Sequence, residues 1–214
     1  MEYFWLNKKN NNKLILIFNG WGMNETPFKH LSCANFDVLI LSDYRKFDID
    51  LNIFDFDKYI EKYFIAWSMG VYVSGLYGKI LNKFDKKIAV NGTGKIVDDE
   101  FGIPEKIYDI TVKSLNETSL DKFLKNMFKS GKLNPEINIT RDIEGLREEL
   151  TAIKNLHIEN CIDFDKVIIS KFDRIIPAKN QQSYWKNKLN KQNTVEISST
   201  HCPFSDYKSF EEIL

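Results

Sequence analysis

Tyr63-Phe-Ile-Ala-Trp-Ser68-Met-Gly70-Val-Tyr-Val-Ser-Gly-Leu-Tyr-Gly-Lys-Ile-Leu81 is the stretch on which the fold turns. Tyr63–Trp67 is a short apolar run, the signature of a buried strand. After it, Val71, Leu76, Ile80 and Leu81 recur with small residues between them, which predicts a helix over Met69–Leu81 lying close against a sheet. A serine between such a strand and such a helix sits on a sharp turn that pushes its hydroxyl out at the end of the sheet. The turn is crowded, so the positions two before and two after must be small. Ala66 and Gly70 satisfy this, although glycine is the usual occupant of both. The plainer reading of Ser68 is a helix cap.

Working outward, further strands are predicted at Tyr3–Leu6, Lys13–Phe18, Phe36–Leu41, Lys87–Val90, Lys166–Ser170 and Thr194–Ile197. The first two, separated by a Lys/Asn loop, read as a hairpin. Helices are expected around Ala178–Leu189 and from near Ser205 or Lys208. Strands alternating with helices give an α/β class, with a mostly parallel central sheet and helices on both faces. From about 95 to 160 the character changes. The segment is charged, is helical in period at Leu120–Phe128 and Ile143–Leu156, and is punctuated by Pro104, Gly131 and Pro135. It reads as a helical cap insertion within a single domain spanning 1–214.

A chain of 214 residues, 43% hydrophobic, can bury one core. Lys+Arg and Asp+Glu balance at 30 each, so no overall charge draws it to nucleic acid or a membrane. Its longest apolar runs, such as Leu14–Phe18, fall far short of the roughly 20 residues a membrane span needs. The amino terminus has an apolar run before its lysines, the reverse of a secretory signal. Cys33, Cys161 and Cys202 are odd in number and lack metal spacing, so a cytoplasmic setting without a metal is expected.

A serine hydroxyl needs a base to take its proton. Of the three histidines, His201 follows the last strand and therefore lies at the same edge of the sheet as Ser68; His30 and His157 read as structural. Asp173 follows the strand before that one and supplies the acceptor that would orient His201, giving the chain order Ser…Asp…His. Asp173 also suits an ordinary turn. Asp163 and Asp165 precede the strand and would lie at its other end. The negative oxygen formed in acyl transfer needs two N–H donors. Met69, next to Ser68, is one; Trp21, in the Asn19-Gly-Trp-Gly22 loop, is the other, unless that loop is only a tight turn. Cys202 adjoins His201 but would point away from it. Lys106, Lys113, Lys122, Lys125, Lys129, Lys132, Arg141 and Arg147 are either solvated charges or a docking face for an acidic partner.

Asn-Gly-Trp-Gly-Met (19–23), Asp-Tyr-Arg (43–45), Ala-Trp-Ser-Met-Gly-Val (66–71) and Thr-His-Cys-Pro-Phe (200–204) together resemble the BioG-type pimeloyl-ACP methyl ester esterases of biotin synthesis. The likeness covers nearly the whole chain and is weakest over 95–160; Ala before Trp-Ser fits that family too. The resemblance implies an α/β-hydrolase without cofactor that hydrolyses pimeloyl-ACP methyl ester to pimeloyl-ACP and methanol, with acyl carrier protein as its partner. In that reading Ser68 is nucleophile, His201 base, Asp173 orienting carboxylate, and Trp21 and Met69 hold the oxyanion. Two other readings stand beside it: a carboxylesterase or thioesterase for another acyl substrate, and a non-catalytic hydrolase-like binding protein.

Overall fold

The computed structural model describes residues 1–128, 139–186, 188 and 193–214. Among them, seven strands form one sheet: β1 (Glu2–Asn7), β2 (Lys13–Phe18), β3 (Asp37–Ser42), β4 (Glu61–Trp67), β5 (Lys86–Val90), β6 (Lys166–Ser170) and β7 (Asn193–Ile197). The order across the sheet is β1-β3-β2-β4-β5-β6-β7. Only β1 runs antiparallel to its neighbour; every other pairing is parallel. Parallel strands covered on both faces read as unbroken apolar runs, as in Leu14–Phe18, all fully buried.

The expected hairpin of the first two strands does not form. The Lys/Asn loop instead carries the chain across the start of β3. There Lys9 N and Asn11 N donate to Asp37 Oδ1 at 2.9 and 3.1 Å, and Tyr59 Oη donates to Asp37 Oδ2 at 3.0 Å. A buried carboxylate gathers the loop, so β1 ends up outside β3 and β2 inside it. Burial opposes the charge on Asp37, but the backbone and side-chain bonds outweigh it and hold the carboxyl below its ordinary range.

One face of the sheet presents Leu14, Leu16, Phe18, Leu39, Phe64 and Ala66 to α1 (Met69–Val73), α2 (Gly78–Leu81), α6 (Ala178–Lys186) and three helices between β5 and β6. These three are α3 (Glu105–Ser114), α4 (Glu117–Met127) and α5 (Ile143–Asn155). Asn116 and Ser119 cap α4 reciprocally, and Asp142 Oδ1 caps α5 through Gly145 N at 2.8 Å. The opposite face presents Ile15, Ile17, Ile40, Ile65 and Trp67 to Phe28, Phe204 and Phe210. Those phenylalanines ride on short 3-10 turns, and Met127 at the end of α4 joins them. Helices thus cover both faces, α-helices on one and mainly 3-10 turns on the other.

Two expected helices take a different form. The helix over Met69–Leu81 is broken by a 3-10 turn at Ser74–Tyr77, where Ser74 Oγ donates back to Val71 O at 2.7 Å. The expected terminal helix becomes the turns Phe204–Asp206 and Phe210–Glu212, because the chain between them is extended and bridges Ser32. Gly131, Pro135 and Leu189 lie outside the described residues.

Candidate active site

Ser68 stands at φ +57° and ψ −121°, a strained conformation for a residue with a Cβ. Its surroundings enforce the turn. Ser68 N donates to Val90 O at 2.9 Å. A Cβ on Gly70 would come within 2.3 Å of Phe18 O, and one on Gly92 within 2.4 Å of Ser68 O. Both positions therefore exclude any side chain, whereas the methyl of Ala66 is fully buried in the core. Ser68 makes no side-chain capping bond to the helix that follows it.

The hydroxyl is turned instead toward His201, with Ser68 Oγ and His201 Nε2 2.8 Å apart. On the other side of the ring, His201 Nδ1 lies 2.8 Å from Asp173 Oδ2. The carboxylate fixes the proton on Nδ1 and leaves Nε2 to accept from the serine. Asp173 is itself held from three directions. Its Oδ1 accepts from Ile175 N at 2.8 Å and Ile176 N at 3.0 Å, and its Oδ2 accepts from Gln181 Nε2 at 2.8 Å. All three side chains are buried. The structure brings together the three residues that the sequence nominated.

Other groups take no part in this line. His30 Nε2 bonds Phe204 O at 3.0 Å, and His157 is exposed. Asp165 accepts from Lys87 N at 2.7 Å, at the opposite end of the strands. Cys202 is buried, and burial pushes its thiol up, away from reactivity. Among the described residues, no three His, Cys, Asp or Glu side chains gather as a metal cluster.

Sequence reasoning missed the residues that hold His201 in place. Trp67 Nε1 donates to His201 O at 2.8 Å. Asn91, at φ +46°, donates through Nδ2 to Ser170 Oγ, Thr200 O and His201 O at 2.8, 3.0 and 2.9 Å, and accepts from Ser170 N at 2.7 Å. One fully buried amide thus ties the ends of β5 and β6 to the histidine loop. The only signal in the chain was the Asn91-Gly92 pair closing a strand, which reads as a turn.

Trp21 and Met69 flank a cavity of about 320 Å³. Its walls are largely apolar, from Ile103, Tyr108, Leu115, Phe123 and Leu150, with Lys122, Asn126 and Arg174 among the polar residues. Trp21 packs edge-on against Phe123, with ring centroids 4.9 Å apart, and its Nε1 donates to Leu146 O at 2.9 Å. Among the described residues, the backbone N–H groups of Trp21 and Met69 have no protein acceptor. Met69 follows Ser68 directly in the chain, and Trp21 lines the same cavity as Met69.

Of the basic residues over 95–160, Lys106, Lys113, Lys122 and Lys125 are exposed, and Lys122 reaches the cavity. Arg141 and Arg147 are engaged internally. Arg141 Nη1 lies 2.9 Å from Glu149 Oε2 and 3.1 Å from Asp43 Oδ1, and Arg147 Nη2 donates to Leu115 O at 2.8 Å. Lys129 and Lys132 lie outside the described residues. No helix among the described residues is long and apolar enough to cross a membrane.

Comparison with known proteins adds four findings. The family model for "Pimeloyl-ACP methyl esterase BioG" matches residues 1–213. The crystal structure of BioG from Haemophilus influenzae superposes with a TM-score of 0.84 at 29% identity, covering 100% of this chain and 99% of that one. A malonyl-[acyl-carrier protein] O-methyltransferase of Bacteroides fragilis is 39% identical over 183 residues, which are 82% of this chain but 37% of that protein. An esterase from Exiguobacterium antarcticum, 14% identical with a TM-score of 0.74 over 95% of this chain and 90% of its own, shares the α/β-hydrolase fold.

Proposed function

Because the chain belongs to the pimeloyl-ACP methyl esterase BioG family, we propose that it hydrolyses pimeloyl-ACP methyl ester to pimeloyl-ACP and methanol in biotin synthesis. The observation that carries this reading is the unbroken line from Ser68 Oγ through His201 to Asp173, both links 2.8 Å long. Ser68 attacks the methyl ester carbonyl while His201 Nε2 takes its proton. The oxyanion of the tetrahedral intermediate is held by the Trp21 and Met69 N–H groups. His201 then gives its proton to the departing methoxide, releasing methanol and leaving the acyl group on Ser68. Water, deprotonated by His201, attacks that acyl group and restores the serine hydroxyl with release of the carboxylate. No metal or organic cofactor is needed at any step.

The segment over 95–160 acts as a cap in this reading. Its apolar lining suits the methylene chain of a pimeloyl group. Lys122 and Arg174, both in the cavity wall, are positioned for the phosphate of a carrier-bound arm. The exposed lysines of α3 and α4 give an acidic carrier protein a surface to meet in the cytoplasm. The methyltransferase name of the Bacteroides relative does not oppose an esterase here, since this chain spans only 37% of that protein.

Ser68→Ala tests the chemistry: turnover falls by about 10⁴-fold or more while the melting temperature holds. Undiminished turnover ends the assignment. Rates on pimeloyl-ACP methyl ester and on free short-chain esters test the substrate. A preference for the small esters would point to a carboxylesterase of another acyl substrate.

A further inference from the structure

Asp43-Tyr44-Arg45, singled out in the sequence, takes no part in the proton-transfer line. It belongs instead to a charged cluster beneath the Trp21 loop, buried at Asp43, Tyr44 and Glu149 and exposed at Arg45. Glu149, on α5, is fully buried. Its Oε1 accepts from Tyr44 N at 2.9 Å and its Oε2 from Gly22 N at 3.1 Å. Arg141 stands against Oε2 and also against Asp43, and Arg45 Nε donates to Asp43 Oδ1 at 2.8 Å. Two carboxylates and two guanidiniums share the cluster; burial still pushes the Glu149 carboxyl up, against the pull of Arg141 and of the Tyr44 and Gly22 N–H groups.

The loop itself is pinned on both sides of residue 21. Gly20 N donates to Asn19 Oδ1 at 2.9 Å, and Met23 N donates to Gly20 O at 3.2 Å. Tyr44 Oη donates to Asn19 O at 2.8 Å. Gly22 sits at φ +72°, and its N–H donates to Glu149. Among the described residues, every N–H from Gly20 to Met23 except that of Trp21 is committed. The carboxylate comes from a different part of the chain and holds the peptide directly after Trp21.

We infer that Glu149 is a positioning residue for oxyanion stabilisation: it clamps the Gly22 and Tyr44 N–H groups so that the Trp21 N–H stays aimed at the negative oxygen formed at Ser68. The inference rests on the role proposed for Trp21 above. A carboxylate serves two N–H donors; a carboxamide serves one and sets its own NH₂ against the other. Glu149→Gln therefore releases one of the two loops without changing the size of the side chain. A loosened donor weakens binding of the transition state and leaves binding of the ground state as it was.

The test uses the full chain, 4-nitrophenyl acetate as substrate and a trifluoromethyl ketone as transition-state probe. Glu149→Gln lowers kcat by about 10- to 100-fold with KM close to the parent value, and weakens the ketone by a similar factor. Product acid binds as before. Parent-like kcat, a rise in KM with kcat unchanged, or a loss matching the unfolded fraction each overturns the inference. Should Glu149→Gln fail to fold, Glu149→Asp decides by the same criteria; a site where both replacements only unfold the chain is structural, which also overturns it. Ser68→Ala run in parallel separates the two claims. An inert Ser68→Ala beside an unimpaired Glu149→Gln removes the positioning role alone, whereas an active Ser68→Ala removes the esterase reading beneath it.

Discussion

At the carboxyl ends of the strands, Asp173 is held by N–H groups two and three residues along its own chain and by Gln181 on the following helix. Helix α5 is held otherwise. Its Leu146 O takes the indole of Trp21, its Glu149 takes the N–H groups of Gly22 and Tyr44, and its Leu150 O takes the hydroxyl of Tyr108 at 2.8 Å. The first arrangement forms as soon as a strand ends in the right residues. The second exists only once distant parts of the chain have packed. The sheet edge holds the proposed catalytic residues in local turns, while the described helices between β5 and β6 line the cavity and are tied to the Trp21 loop by long-range contacts.

Asp173→Asn attacks the sheet edge without changing its shape. It unsettles the His201 tautomer and lowers kcat by about 10³- to 10⁴-fold, with a small drop in melting temperature because its NH₂ meets the Gln181 amide that Oδ2 had accepted from. A loss as small as that of a cap variant would erase the contrast between the two regions. Lys122→Ala combined with Arg174→Ala attacks the cavity wall. On the carrier-bound substrate it raises KM about 3- to 10-fold, with kcat on a small uncharged ester retained. Because the two cations act through charge, the difference from the parent narrows as salt is added; an equal loss on both substrates would move these residues into the chemistry.

Asp37, at the far end of the sheet, gives the smallest effect and touches stability alone. Its folded carboxyl titrates below its ordinary range because hydrogen bonds outweigh burial. The folded state therefore binds the proton less readily than the unfolded one. The stabilisation is present above the unfolded carboxylate range and is lost as pH falls through the folded value. Asp37→Asn lowers the melting temperature at neutral pH, and its gap from the parent narrows as pH falls below the ordinary carboxylate range. A gap independent of pH would mean that charge plays no part in fixing β1 outside β3.

This division also explains what was legible in the sequence. Strands β2 to β6 were readable as buried, near-continuous apolar runs, β1 and β7 as short strand-forming segments beside polar loops, and Ser68 because the strand–turn–helix pattern is continuous in the chain. His201 and Asp173 were reached by asking which strand ends share an edge, a question that topology answers without side-chain detail. The β1–β2 pairing was misread because it depends on Asp37, which collects the Lys/Asn loop from more than twenty residues away. Gln181 and Glu149 carried no local pattern at all, and Asn91 only that of a turn. A polar residue of a kind common in turns and helices becomes an anchor only through partners that folding supplies.

Asn91 precedes Gly92, and an asparagine–glycine pair in a mobile chain is where a side-chain amide most readily closes on the next backbone nitrogen and converts to an acid. In the folded protein that side chain is sealed from water and occupied by four hydrogen bonds, so it cannot swing into the cyclising pose. Native packing is thus a preservative for this position, and each excursion of the chain out of its fold puts the amide at risk of ageing. An aspartate formed there would face two carbonyls and a hydroxyl that had been accepting protons from it, so the damage would be recorded permanently as failure to reassemble the histidine loop.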